Sequence, residues 1–411
     1  MNIFKKIAIA LSAVGPGLFL IGYNIGTGSV TTMAKVGAEY GMMLTWALVL
    51  SCIFTYILMV AYGKTTLVTG HTALFNIKTN FRYGKMLAVY IMIALIIGEL
   101  LALMGIMGIV SDLLSEGFRL IWGVPANTFL ITSILVVLLY ALFWYGRYQV
   151  FEKILMGFVI LMGLTFILVF FMVRPDFSSL ISGLVPRLPQ TPGAFALVAA
   201  IAGTTCSAAV FIMRSTVVAE KGWTINELDQ EKKDAAVSAS MMFLLSLIIM
   251  AVGAGTLHVL GMQLNNTVEM ISLFQPIGGK MAAFLLILGI VGAGLSTIFP
   301  IILIAPWLIS DYTGQKRDIK SPMYRILGLV GILFGFGTQF MATPPPIVMV
   351  LSQAFQALIL PAVAIPIFIL INRKTLMGTA IAKPKMNIGL IAVILFSLIT
   401  SYFAIIGLWN G

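Results

Sequence analysis

The sequence has very little charge. Only 9% of its 411 residues are Asp, Glu, Lys or Arg, whereas 60% are hydrophobic, and the mean hydropathy is +1.07. Soluble globular proteins carry about 25% charged residues, so an ordinary soluble fold is excluded. Because one bilayer span needs about 20 apolar residues, a chain of this composition is expected to be an all-α polytopic membrane protein.

Histidine and cysteine are almost absent, with two of each. Neither His71 nor His258 has an acidic or nucleophilic partner near it in the sequence, so an enzyme is not expected. Cys52 and Cys206 both lie in apolar segments, which predicts no disulfide framework. The sequence gives no sign of a bound cofactor.

The apolar residues form eleven candidate spans, which leave almost no chain for a soluble domain. They cover residues 8–36, 42–63, 85–111, 127–145, 151–173, 194–219, 236–260, 279–309, 323–342, 346–371 and 387–409. The start of the chain, with Lys5 and Lys6 before an apolar run, is similar to a secretory signal peptide. It has no small-residue cleavage site before the apolar run continues, so we interpret it as the first span.

The excess of positive charge, +11 overall, is distributed asymmetrically. If the N-terminus is cytoplasmic, all but five of the 25 Lys and Arg residues fall on the cytoplasmic side. The five on the other side are Lys35, Arg119, Arg174, Arg187 and Lys280. This bias predicts a cytoplasmic N-terminus and an external C-terminus. The partner of the basic residues is therefore expected to be a lipid bilayer, most simply the prokaryotic plasma membrane, and not nucleic acid.

Two polar, glycine-containing stretches interrupt apolar segments, at residues 23–30 and 203–209. Backbone that leaves the helix at membrane depth is tolerated only where it lines a cavity. Interrupted helices in corresponding positions of two halves indicate the substrate site of a transporter. We therefore predict two five-span repeats of opposite orientation, 1–190 and 191–373, followed by an eleventh helix in 374–411.

Several short motifs in a fixed order resemble one known family along nearly the whole chain. They are Gly15-Pro16-Gly17, Val36 to Gly41, Val68-Thr69-Gly70, Tyr145-Gly146 with Glu152, Arg174-Pro175-Asp176, and Leu351 to Gly378. The family is the NRAMP family of proton-coupled divalent-metal transporters. The resemblance implies a LeuT-type fold, an inverted repeat of five plus five spans with one further span.

The residues that bind the metal in that family are replaced here. Its Asp-Pro-Gly-Asn motif corresponds to residues 26–29, Gly-Thr-Gly-Ser, and its Met-Pro-His motif to residues 207–209, Ser-Ala-Ala. Of three acidic positions on its third span only Glu99 is kept, since Ile106 and Ile109 occupy the others. A further family histidine corresponds to Arg214. These replacements favour the fold of the family without its metal transport.

A gap with helix ends and no acidic side chain suits an anion, because backbone N–H groups lack an acceptor. The preferred hypothesis is therefore a secondary transporter of a small anionic or carboxylate-bearing solute, such as bicarbonate, an organic acid or an amino acid. The predicted substrate-binding residues are Tyr23, Asn24, Gly26, Thr27, Gly28, Ser29, Thr205, Ser207, Ala209, Phe211 and Gln356. The predicted coupling residues are Glu99 for a proton and Ser296 and Thr297 for Na⁺.

Other interpretations stay open at this stage. The glycines and hydroxyls could serve only to pack a helix kink. A divalent-metal transporter (Mn, Fe or Mg) with an unorthodox site would use Asn24, Ser29, Ser207 and backbone carbonyls around a hydrated ion. A non-transporting membrane sensor or scaffold is the third possibility, and measurements of solute flux separate it from both transporters.

Overall fold

The structure is a computed structural model that describes residues 26–145, 148–315 and 317–410. Within these ranges the chain is helical, with no β-strand. Nine helical segments of the described ranges are long and apolar enough to cross a membrane, where Gly193–Glu220 is counted as one segment. The all-helical class predicted from composition is therefore confirmed.

Fifteen α-helices in the described ranges are numbered here in chain order. They are α1 (Thr27–Tyr40), α2 (Thr45–Thr69), α3 (Ala73–Asn80), α4 (Gly84–Trp122), α5 (Thr128–Tyr145), α6 (Tyr148–Val173), α7 (Phe177–Ser182), α8 (Pro192–Thr205), α9 (Ala208–Glu220), α10 (Leu228–Gly253), α11 (Gly279–Thr313), α12 (Pro322–Leu333), α13 (Pro345–Ile371), α14 (Lys374–Met377) and α15 (Pro384–Asn410). A π-helical turn, Ala254–His258, extends α10.

The predicted spans correspond to these helices, with several differences in length. Helix α1 covers only the last part of the first predicted span, because residues 8–25 lie outside the described ranges. Helix α4 has 39 residues and runs well past the predicted end at residue 111, as far as Trp122. At 1.5 Å per residue α4 is about 58 Å long, so it must tilt or extend beyond the hydrocarbon core.

The second predicted interruption is present as a break between α8 and α9. Helix α8 ends at Thr205, and Cys206 (φ −111°, ψ 46°) leaves the helical conformation. Ser207 is extended (φ −67°, ψ 130°), and α9 starts at Ala208. At the first interruption, Gly26 is also extended (φ −89°, ψ −172°) and precedes α1. At the two interruptions, α1 and α9 therefore begin and α8 ends next to residues that are not helical.

Helix α8 crosses α13 at very short range. A Cβ atom built on Gly203 would lie 1.8 Å from the backbone oxygen of Gln353 and 2.7 Å from its carbonyl carbon. Backbone atoms cannot rotate away as a flexible side chain can. Glycine at 203 is therefore required for the close contact that positions the broken helix against α13.

We expect Gly203→Ala to destabilise the protein by roughly 1–3 kcal/mol, the usual range for overpacking a close contact. Thermal unfolding of the purified variant in detergent would measure the effect. Gly163→Ala is the matched control, because nothing lies within 4 Å of a Cβ at this position in α6. Equal melting temperatures of the two variants would contradict the close crossing of α8 and α13.

Candidate functional site

A small cavity lies where the two interruptions meet α4, α11 and α13. Its volume is about 40 Å³. Since a water needs roughly 10–15 Å³ measured in this way, a single ion with two or three waters would fill it. The lining residues are Gly26, Gly28, Ser29, Glu99, Ala102, Ile106, Thr204, Ser207, Thr297, Ile301, Met349, Gln353 and Gln356.

A chain of hydrogen bonds connects Glu99 to the second interruption. The Gln356 side-chain Nε2 donates to Glu99 Oε1 at 2.7 Å. The Ser207 hydroxyl donates to Gln356 Oε1 at 3.3 Å. Glu99 is only 3% exposed, so its carboxylate is held in place within the protein and away from bulk water. The chain links α4, α13 and the α8–α9 break through one glutamine.

A second hydrogen bond joins the two interruptions directly. The hydroxyls of Ser29 on α1 and Thr204 on α8 lie 2.9 Å apart, and both residues are buried. Across the cavity, Gly26 lies against Thr297, since a Cβ at Gly26 would be 2.5 Å from Thr297 Oγ1. The described end of the first interruption therefore lies against both α8 and α11.

The electrostatics of the cavity are dominated by Glu99. Helix α8 ends at the cavity with its partially negative carbonyl end, while α1 and α9 start there with partially positive ends. These partial charges are about half a unit each and of opposite sign. Glu99 is the one carboxylate among the described lining residues. When ionised it adds a full negative charge, and the cavity then favours a cation.

The donor set for a cation consists mainly of oxygens. No group of three or more His, Cys, Asp or Glu side chains that could hold a metal occurs in the described ranges. The available ligands are the Glu99 carboxylate, the amide oxygens of Gln353 and Gln356, four hydroxyls and the thioether of Met349. Carboxylate, carbonyl and water ligands suit Mg²⁺, Ca²⁺ and Mn²⁺.

Seven of the predicted site residues line this cavity. They are Gly26, Gly28, Ser29, Ser207 and Gln356 from the substrate set and Glu99 and Thr297 from the coupling set. Tyr23 and Asn24 lie outside the described residues. The assigned roles of all these residues stay predictions.

Five predicted residues do not line this cavity, and the roles assigned to them stay predictions. The Thr205 hydroxyl donates to the Ile201 carbonyl in its own helix at 2.6 Å, and Ser296 similarly bonds the Ala293 carbonyl at 2.8 Å. Such bonds to the preceding turn are common for hydroxyls within helices. Phe211 stacks on Tyr62 with ring centroids 6.0 Å apart. The remaining two, Thr27 and Ala209, are fully buried in the helix packing.

Five lining residues were not selected from the sequence: Ala102, Thr204, Ile301, Met349 and Gln353. Ile106 was noted only as a replacement of an acidic residue of the family. A signal did exist for two of them. Met349, Gln353 and Gln356 are spaced by four and three residues, which places them on one face of a helix. Since Gln356 was already a candidate, the same face of α13 would have supplied the other two.

A family model described as "Natural resistance-associated macrophage protein-like" matches residues 17–407. The sequence is 25% identical to "Divalent metal cation transporter MntH" of Pectobacterium carotovorum over 97% of this chain and 95% of that protein. It is 21% identical to a protein of the same name from Deinococcus radiodurans, over 94% of this chain and 88% of that protein.

Two solved structures show the same fold at low sequence identity. The Eremococcus coleocola manganese transporter, in complex with an aromatic bis-isothiourea substituted compound, has a TM-score of 0.73 and 15% identity, covering 97% of this chain and 87% of that chain. MhsT in complex with L-phenylalanine has a TM-score of 0.62 and 14% identity, covering 96% and 98%. The predicted LeuT-type architecture is confirmed.

Proposed function

Because this chain belongs to the natural resistance-associated macrophage protein family, we propose that it transports a divalent metal cation across the membrane. The prediction of a small anionic solute was wrong, since the relatives are named divalent metal cation transporters. That prediction gave weight to the positive helix ends and assigned Glu99 to coupling alone. It overlooked that Glu99 lines the same cavity as both interruptions.

The position of Glu99 is the observation that carries the proposal. A divalent cation inside a membrane needs at least one anionic ligand, because an uncompensated buried charge costs many kcal/mol. Glu99 supplies this charge, and the oxygens of Ser29, Ser207 and the two glutamines supply neutral ligands. Water would complete the coordination shell, since the cavity holds more than a bare ion.

Transport would follow alternating access about the two broken helices, which are where such folds bind their substrates. A proton or Na⁺ as the coupling ion stays part of the proposal, with Glu99 and Thr297 as the coupling candidates in the cavity. So does the orientation, with the N-terminus cytoplasmic and the C-terminus external, which follows from the distribution of Lys and Arg.

Flux into proteoliposomes tests the proposal. We expect uptake of Mn²⁺ and Mg²⁺, and no uptake of bicarbonate or an amino acid. Met349→Leu should weaken Mn²⁺ uptake more than Mg²⁺ uptake, because a thioether favours the softer ion. Uptake of an anion without any metal would contradict the proposal, and absence of flux for every solute would favour a sensor.

A further inference from the structure

A second cavity, much larger than the first, opens at the end of the bundle where α1 and α6 end. Its volume is about 580 Å³. It lies among the last residues of α1, the segment that follows α6 and the π-helical turn after α10. No part of the proposed transport site lines it, so its ligand is a separate question from the transported cation.

Two arginines line this second cavity, and neither forms an ion pair within the described ranges. Arg174 follows α6 directly, and Arg187 lies in the proline-rich segment before α8. Both side chains are exposed. Two arginines that line one cavity suit a phosphate as ligand, because a planar guanidinium donates paired N–H hydrogen bonds to phosphate oxygens.

Asp176, the carboxylate that lines the cavity, already accepts hydrogen bonds from the first residues of α7. Asp176 accepts hydrogen bonds from the Ser178 hydroxyl at 2.6 Å and from the Ser178 and Ser179 amides at 3.0 and 3.2 Å. The Ser178 hydroxyl, together with these amides, holds the pKa of Asp176 below its ordinary value. Asp176 therefore neutralises one of the two arginines at most, and the cavity keeps a net positive charge.

His258 adds a third basic side chain at the cavity wall. Its Nδ1 lies 2.9 Å from the Ala38 carbonyl oxygen, which can only accept, so Nδ1 is the donor. The other edge of the ring lies 3.4 Å from the position of a Cβ atom on Gly41, which also lines the cavity. The hydrogen bond fixes the orientation of the ring at the cavity wall.

Exposed apolar side chains surround the basic residues. Val259, which lines the cavity, is 75% exposed, and Phe171, one turn before Arg174, is 69% exposed. Met43 on the cavity wall is 43% exposed. In a membrane we expect exposed apolar side chains beside charged residues at helix ends to lie near the boundary between acyl chains and headgroups. Basic pockets between membrane helices are known to bind anionic headgroups on the cytoplasmic side, and the same phosphate chemistry applies to this cavity, which the charge bias puts on the external side.

We propose that the second cavity binds the phosphate of an anionic phospholipid, with the guanidinium groups of Arg174 and Arg187 as its ligands. The apolar rim would hold the start of the acyl chains. A free phosphate shares the headgroup chemistry but makes no use of the rim, and the rim is the reason to prefer the lipid.

The backbone at Arg174 provides a variant that should not disturb folding. Its φ of +49° is the one positive value at a non-glycine residue in the described ranges. Glycine adopts this conformation without strain, so Arg174→Gly removes the guanidinium without disturbing the backbone. Arg187→Gln removes the second guanidinium. Arg119→Gln is the control, since Arg119 is an exposed arginine that pairs with Glu116 away from the cavity.

Native mass spectrometry of the delipidated full chain tests the proposal without measuring transport. With phosphatidylglycerol we expect a retained one-lipid adduct on the wild type and on Arg119→Gln, and at least a tenfold weaker adduct on Arg174→Gly and Arg187→Gln. On the wild type, the phosphatidylcholine adduct should be as weak as the phosphatidylglycerol adduct on these two variants. Equal adducts on all four proteins, or equal retention of phosphatidylcholine, would overturn the proposal.

A parallel arm uses inorganic phosphate at millimolar concentration. We expect it not to displace phosphatidylglycerol, because it lacks the apolar contacts. Binding of inorganic phosphate to the wild type without any retained lipid would overturn the assignment to a phospholipid. Since neither arm depends on flux, a failed lipid assay leaves the metal-transport proposal unaffected, and a failed flux assay leaves the lipid proposal unaffected.

Discussion

Glu99→Gln is expected to reduce divalent-cation transport by at least a hundredfold while leaving the protein folded. The substitution removes the one carboxylate among the described residues of the central cavity. A unit charge at 4 Å contributes about 4 kcal/mol at the effective dielectric constant typical of proteins, and each 1.4 kcal/mol corresponds to about a tenfold change in affinity. The amide introduced at this position keeps an oxygen that can accept the hydrogen bond from Gln356. Flux of Mn²⁺ and Mg²⁺ into proteoliposomes measures the loss.

Glu116→Gln is the matched control for this prediction. Glu116 is also a mostly buried carboxylate on α4, at 8% exposure, but it pairs with Arg119 and does not line the cavity. Its substitution should leave flux within about twofold of the wild type. Equal flux for Glu99→Gln and the wild type would contradict the role of Glu99 as the anionic ligand.

Equilibrium binding distinguishes the ligand role of Glu99 from a role restricted to coupling. A ligand that binds only the folded state raises its melting temperature by mass action. If Glu99 holds the metal, Mn²⁺ should stabilise the wild type and not Glu99→Gln, even with no ion gradient present. If Glu99 only carries a coupled proton, both proteins should be stabilised equally.

Arg214→Met is expected to destabilise the protein by about 3–5 kcal/mol, the usual cost of leaving a buried charge without its partner. Arg214 on α9 donates from Nε to Glu231 at 2.7 Å and from a terminal nitrogen to Asp234 at 2.7 Å, and all three side chains are fully buried. Removing the guanidinium leaves two buried carboxylates without their cation. Thermal and chemical unfolding in detergent would measure the loss.

Two further variants define the origin of that effect. Arg214→Met combined with Glu231→Gln and Asp234→Asn removes every charge of the cluster, and we expect it to recover much of the lost stability. Arg119→Met breaks a pair whose arginine side chain is 54% exposed and should change stability by less than about 1 kcal/mol. Equal losses for Arg119→Met and Arg214→Met would show that burial of the cluster does not matter.

The spans could be predicted from the sequence because a helix needs about 20 apolar residues to cross the hydrocarbon core. The break at Cys206 and Ser207 was accessible for a different reason, since a polar, small-residue stretch gains nothing inside a continuous helix in a membrane. The close approach of Gly203 to the Gln353 carbonyl was not accessible, because it depends on how α8 crosses α13 in three dimensions.

The substrate class was misjudged because acidic ligands for the substrate were sought only within the two interruptions, whereas the carboxylate of the cavity comes from another helix. Glu99 and Gln356 are 257 positions apart in the sequence, yet they are hydrogen-bonded, and the same glutamine accepts from Ser207. Met349 was missed because it belongs to neither interruption, although its spacing from Gln356 puts both on one face of α13. A site assembled from several helices is defined by contacts, and a motif comparison records only replacements at matching positions.

The orientation of the Gln356 amide has a mechanical consequence. The amide now turns its NH₂ group toward Glu99 and its oxygen toward Ser207. A cation bound at Glu99 would repel that NH₂ group and attract the amide oxygen, so rotation of the Gln356 amide would break its hydrogen bond with the Ser207 hydroxyl. Occupation of the cavity would then change a contact of the break between α8 and α9, with one glutamine as the connecting residue.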